Sequence, residues 1–252
     1  MQFKILITTC LLLVFSFSGY ALFIEKRENL QPYYNNSTVV MIASSGRSGS
    51  TMLTQQMRKY ISSDKVLKTH LLPPEARFQG KILFIYSDPN RATESALYMM
   101  LHHENFGPAH FRNLETADRK WFRRIGGSRG QTIDDNLLSY DAFGVYEHLK
   151  GWLYTRTEPT DPENAQILAI KYENLWDDAT VSAIRSFLKI DNFQLPLQKP
   201  RGHDKEKLYS KEIRFRKMYN LGTEKNPRYA AYDDATILWE QAPPFQYLKI
   251  LQ

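Results

Sequence analysis

Cysteine is all but missing from this chain: the 252 residues hold one, Cys10. A lone thiol in the N-terminal apolar segment leaves the folded body without an internal disulfide or a cysteine metal site, so packing must stabilise it. Internal repeats and low-complexity tracts are absent as well. An acidic surplus is also lacking; the formal net charge is +6. That sign favours anionic ligands such as nucleotides, sulfated glycans or membrane surfaces, although solubility alone would account for so small an excess. With 42% hydrophobic and 13% aromatic residues, the chain can bury a large core and reads as one globular domain.

Charge is missing from Ile5 to Ile24, an apolar run with Lys4 before it and Glu25-Lys26-Arg27-Glu28 after it. At about 20 residues it could just span a bilayer as a helix. Ser18-Gly19-Tyr20-Ala21 offers small residues to a signal peptidase, and an ordinary buried helix is a third reading. Residues 1–24 are therefore expected to be a signal anchor, touching the membrane through residues 5–24, or a cleaved signal peptide. Residues 25–37 would form a short stem and 38–252 the domain. Asn35-Asn36-Ser37-Thr38 carries two overlapping glycosylation sequons, which fits a lumenal stem.

Beyond the stem, short apolar runs alternate with helical periodicity. Strands are expected at Val39–Ala43, Lys65–Lys68, Lys81–Tyr86 and Ile167–Lys171. Helices are expected at Ser50–Ile61, Arg91–Leu101, Phe143–Thr155 and Ala179–Leu188, with long loops over 102–140. This alternation predicts an α/β fold of three layers, α/β/α, around a central parallel sheet.

The stretch Ser44-Ser45-Gly46-Arg47-Ser48-Gly49-Ser50-Thr51 follows the first of these strands. A strand running into a Gly- and hydroxyl-rich turn and then a helix points several N–H groups and the helix dipole at one anion. A nucleotide-triphosphate P-loop would end in Lys-Ser or Lys-Thr; here Arg47 is the cation and Ser50-Thr51 open the helix. The same residues would also serve an ordinary turn with a serine N-cap.

Two further segments end strands that should open into the same crevice. Lys68-Thr69-His70-Leu71-Leu72-Pro73-Pro74 offers a histidine able to take a hydroxyl proton and a lysine able to neutralise a transferred anion, or simply a surface histidine before a Pro-Pro turn. Tyr86-Ser87-Asp88-Pro89-Asn90-Arg91 leads into a helix carrying Ser95, whose groups suit a second phosphate; alternatively Asp88 caps that helix and Ser95 is merely exposed.

At these residues the chain resembles the PAPS-dependent sulfotransferases. Ser45 to Thr51 is similar to that family's 5′-phosphosulfate loop, and Lys68-Thr69-His70-Leu71 to its Lys-Thr-His-Leu-Pro segment. Glu147-His148-Leu149-Lys150-Gly151-Trp152 resembles its His-Val-x-x-Trp helix, and Tyr172-Glu173-Asn174-Leu175 its Tyr-Glu-Asp-Met segment. The four motifs, in order, cover roughly residues 38–190. The resemblance implies a P-loop-like sulfotransferase fold using PAPS (3′-phosphoadenosine 5′-phosphosulfate) as co-substrate, without a metal and without nucleic acid as partner. It implies that Arg47, Ser48, Gly49, Ser50 and Thr51 bind the 5′-phosphate, that Lys68 and Arg47 stabilise the transferring group, and that His70 is the general base. Ser95 would touch the 3′-phosphate and Tyr172 lie near the adenine. The acceptor is expected to be a hydroxyl, with a glycan favoured over a phenol, a small alcohol or a protein tyrosine. The expected address is the Golgi membrane, single-pass type II with a lumenal domain, or secretion. A noncatalytic nucleotide-binding scaffold of the same fold and a kinase-type phosphotransferase are the competing readings.

The departures are specific. The family's 3′-phosphate motif begins with an arginine where this chain has Ser87, leaving Arg91 as the nearest cation in sequence. Met52 replaces an aromatic. Lys199-Pro200-Arg201-Gly202 and Arg214-Phe215-Arg216-Lys217 are both candidates for the family's C-terminal basic signature, and Phe106, Phe111, Trp121 and Phe122 for an acceptor pocket.

Overall fold

The computed structural model describes residues 22–75, 77–102, 113–118, 140–197 and 228–251. The candidate acceptor aromatics and both C-terminal basic signatures lie outside them.

Seven strands form one sheet: β1 (Leu22–Ile24), β2 (Val40–Ser44), β3 (Val66–Thr69), β4 (Lys81–Tyr86), β5 (Thr157–Pro159), β6 (Ile167–Lys171) and β7 (Phe245–Ile250). Their spatial order is β1-β3-β2-β4-β6-β7-β5. The first five run parallel, and β7 and β5 close one edge antiparallel. The helices are α1 (Ser50–Met57), α2 (Pro89–His102), α3 (Val145–Lys150, continued by a π-turn over Gly151–Thr155), α4 (Asp178–Leu188) and α5 (Asp233–Gln241).

Alternate side chains of the central strands explain the layers. Met41 and Ala43 of β2, with Ile82 and Phe84 of β4, join one buried cluster that includes Ala96 of α2, Leu149 and Trp152 of α3 and its π-turn, and Ala235 of α5. Val40 and Ile42, with Leu83 and Ile85, face the opposite cluster with Leu53 and Met57 of α1 and Ile184 and Phe187 of α4. Strands buried on both faces are continuous apolar runs, as these sequences are. The expected α/β/α architecture around a mostly parallel sheet is therefore present. The antiparallel edge was not anticipated.

The N-terminal boundary differs from expectation. Leu22–Ile24, taken as the end of an anchor or signal, pairs with Leu67–Thr69 of β3, and Ile24 is buried. The expected stem is likewise part of the body. Its residues Arg27–Tyr33 form a 3₁₀ helix, and Leu30 and Tyr34 lie in the core. Leucine and tyrosine at those positions gain more by burial than a solvated stem would give them. Among the described residues, packing onto the sheet thus begins at residue 22, and the remainder of the apolar run, residues 5–21, lies outside them. Among the described residues no helix is long and apolar enough to cross a membrane.

Candidate active site

Register brings the carboxyl ends of β2, β3, β4 and β6 together: Ala43 pairs with Thr69, Ser44 with Ile85, and Tyr86 with Lys171. Each strand end feeds one of the segments singled out above. The turn after β2 has three positive-φ positions, Gly46 (φ 94°), Arg47 (φ 56°) and Gly49 (φ 78°). Positive-φ backbone in a Gly- and Ser-rich turn that leads into the N-terminus of α1 makes this turn a candidate anion nest. Gly49 is required there twice over. Besides its φ, an added Cβ would lie 2.3 Å from Cε2 of Tyr172, so the Tyr172 ring rests directly on the loop.

The hydroxyls of this turn are ordered among themselves. Ser48 Oγ donates to the Gly46 carbonyl at 3.0 Å, so Ser87, whose Oγ is 3.1 Å away, donates to Ser48. Ser44 Oγ donates to Ser50 Oγ at 3.0 Å and accepts the Gly46 N–H at 3.3 Å.

Both predicted cations enter this group. Lys68 Nζ donates to Thr51 Oγ1 at 2.7 Å and lies 5.7 Å from the Phe23 ring. Arg47 Nε donates to Ser95 Oγ on α2 at 3.0 Å. Among the described residues neither forms a salt bridge. Burial lowers the pKa of Arg47, and burial together with the Arg47 charge brings Lys68 down to about 8. Two neighbouring, partly desolvated cations with no carboxylate partner among the described residues leave a positive potential there that an anion would satisfy.

His70 is 2% exposed, which removes the surface-histidine reading. Its Nδ1 is 2.8 Å from the Ser44 carbonyl and 3.2 Å from Ser44 Oγ. A carbonyl only accepts, and the Ser44 hydroxyl proton is committed to Ser50, so Nδ1 carries the hydrogen. The lone pair of the neutral ring is on Nε2. The Phe23 ring, tilted by 58°, lies 5.4 Å from the imidazole.

Arg91 is placed differently. It is one turn before Ser95 on α2, 46% exposed, with Nε 3.8 Å from Asp88. Asp88 caps the helix by accepting the Asn90 N–H at 2.8 Å, and Glu173 Oε1 accepts the Asp88 N–H at 3.0 Å, tying the β4 and β6 turns together. The contact to Ser95 is thus made by Arg47.

The structure therefore unites Arg47, Ser48, Gly49, Ser50, Thr51, Lys68, His70, Ser95 and Tyr172. Sequence reasoning placed Ser44 in the turn but missed its part in fixing the His70 tautomer, and it missed Phe23, which covers Lys68 and His70. Ser44 was legible as a hydroxyl at a strand end, but Phe23 was hidden in an apolar run read as a leader. No group of three His, Cys, Asp or Glu that could hold a metal occurs among the described residues. No protein-family model matches the chain, and no curated protein matches it at a significant level.

Proposed function

We propose that this chain transfers a sulfuryl group from PAPS to a hydroxyl acceptor. The observation that carries the reading is the meeting of a candidate anion nest, two cations with no salt bridge among the described residues and a histidine of defined tautomer at one end of a parallel sheet. The residues fit the co-substrate. The Ser48–Thr51 turn would hold its 5′-phosphate, Ser95 and Arg47 its 3′-phosphate, and Tyr172 would lie beside the adenine. Arg47 then supplies the cation that Ser87 lacks.

In the proposed reaction the acceptor oxygen forms a bond to sulfur as the bond from sulfur to the bridging phosphate oxygen breaks. The acceptor proton passes to Nε2 of His70, and adenosine 3′,5′-bisphosphate (PAP) leaves with the bridging electron pair. Lys68 offsets negative charge developing on the sulfuryl oxygens. A glycan hydroxyl in the secretory pathway is the favoured acceptor, given the exposed sequon at Asn35 and the apolar residues 5–21. A phenol, a small alcohol or a protein tyrosine is the alternative.

The near-complete burial of His70 favours a second reading, a noncatalytic nucleotide-binding scaffold. The test is transfer from radiolabelled PAPS to a panel of glycans, phenols, alcohols and tyrosine peptides, alongside calorimetry with PAP. PAP binding with labelled product, reduced about 10²-fold or more in His70→Ala, supports the enzyme. Binding without any product supports the scaffold, and absence of both refutes the site.

A further inference from the structure

His148 and Trp152 have no role in the chemistry above, yet both are completely buried and both reach the same short segment. His148 Nε2 lies 3.2 Å from the backbone oxygen of His70, and Trp152 Nε1 donates to that of Leu71 at 3.1 Å. Since the acceptor is a carbonyl, His148 must carry its hydrogen on Nε2. Burial supports this neutral donor by pushing its pKa down to about 4. The two residues are four apart, one turn along the same face of α3 and its π-turn.

Between them, Gly151 lets the helix approach closely: an added Cβ would meet Leu72 Cδ2 at 2.6 Å. Phe84 stacks on Trp152 with centroids 4.6 Å apart and planes within 8°, which fixes the indole. From the other side, Glu115 Oε2 accepts the Leu72 N–H at 2.7 Å and is itself gripped by Arg27 through Nε at 2.8 Å and Nη2 at 2.9 Å.

Residues 70–72 follow the end of β3, and the side chains of Thr69, His148, Trp152 and Glu115 hold their backbone. π-turns place a side chain where regular helix geometry would not, and they concentrate at functional sites. We propose that α3 and its π-turn are a clamp that positions the proposed base: His148 and Trp152 hold the His70 and Leu71 carbonyls so that the imidazole keeps its Nδ1–H on Ser44 and presents Nε2. The two are positioning residues. The inference rests on the sulfotransferase reading for its kinetic consequence but not for its structural one.

The test uses the full chain with His148→Leu, His148→Gln and Trp152→Phe. Gln places an N–H near that of Nε2, and Phe keeps a stacking ring while removing the donor. Expected are a fall in kcat of about tenfold in His148→Leu and Trp152→Phe, a KM for PAPS and a Kd for PAP within about twofold of wild type, and recovery to within about threefold in His148→Gln. Imidazole ¹⁵N spectra give a readout independent of turnover. The Nδ1–H tautomer of His70 should dominate in wild type and His148→Gln and give way to a mixture in His148→Leu. An unchanged His70 spectrum in folded His148→Leu overturns the clamp, as does loss of PAP affinity in step with kcat, which marks a merely structural role. A wild type with the expected spectrum but no transfer would instead refute the sulfotransferase reading and leave the clamp standing.

Discussion

Lys68 makes the electrostatics of the site measurable. Burial and the neighbouring Arg47 bring its pKa to about 8. Both effects penalise the charged form, and a bound phosphate dianion opposes both. PAP should therefore bind the protonated lysine, and binding above pH 8 must first take up a proton. With a free-state pKa of about 8, affinity stays level up to about pH 7.5 and falls roughly tenfold by pH 9, because only about a tenth of the sites are then protonated. At pH 8 about half a proton should be taken up per site. The second ionisation of the ligand phosphates, near pH 6, is complete and adds nothing in this window.

Calorimetry in two buffers of different ionisation enthalpy reads the uptake directly, and Lys68→Met should abolish both uptake and slope. Stability of the free protein moves the other way. A lysine whose folded pKa lies below its unfolded value of about 10.4 destabilises fully below pH 8, and that burden, of order 3 kcal/mol, lifts as pH rises from 8 toward 10.4. Melting temperature relative to Lys68→Met should rise over the range in which PAP affinity falls. Zero proton uptake by wild type at pH 8, or a slope that survives in Lys68→Met, would refute the placement of the anion beside Lys68.

Arg47→Ala should weaken PAP binding by about 10- to 150-fold, the loss of one charge-assisted contact, and Arg47→Lys should fall between because it keeps the charge but not the guanidinium fork that reaches Ser95. Gly49→Ala forces a side chain into φ 78° and against Tyr172; a stability loss of about 1–2 kcal/mol in urea unfolding is expected, with PAP affinity lost as the ring shifts. Arg27→Ala should cost about 2 kcal/mol by stripping two donors from half-buried Glu115, and a double-mutant cycle with Glu115→Gln should recover part of it. Burial raises the Glu115 pKa, but the Arg27 and Leu72 donors outweigh it and hold it below the usual range. That pair therefore stabilises above pH 4.5, and the stabilisation should disappear as pH falls further.

The parallel strands were legible because strands buried on both faces must be apolar throughout, and Ile82-Leu83-Phe84-Ile85 or Ile167-Leu168-Ala169-Ile170 have few other uses. Edge strands lack that signature. Thr157–Pro159 is three residues long and polar, and its neighbour Phe245–Ile250, inside that edge, has its apolar residues interrupted by Gln246 and Lys249. Leu22–Ile24 was concealed for the opposite reason: continuous with an apolar run, it carries no boundary that composition can show. Spacing located the strand-end residues of the site, since each strand in a parallel sheet delivers its next few residues to one edge. It could not give the partners that come from elsewhere, such as Phe23 from the edge strand and Glu115 from beyond α2, because nothing in local sequence records a contact across 40 or more residues.

The serine at position 87 and the reach of Arg47 to Ser95 belong to one electrostatic arrangement. Ser87 is 6% exposed and touches Ser48, in the loop that carries Arg47. An arginine at 87 would add a third desolvated cation near two that have no carboxylate partner among the described residues. Each added like charge lowers Lys68 further and leaves more of it neutral at pH 7, where on the proposed mechanism it must be charged. With Ser87 in place, the loop arginine extends across to Ser95 of α2, and on the proposed function one guanidinium serves where the sulfotransferase pattern would use two cations. Its five donors can serve two anionic groups, which a lysine in the same place could not do. On the proposed function, a serine at 87 spares Lys68 that repulsion, so Ser87 is compatible with an active site.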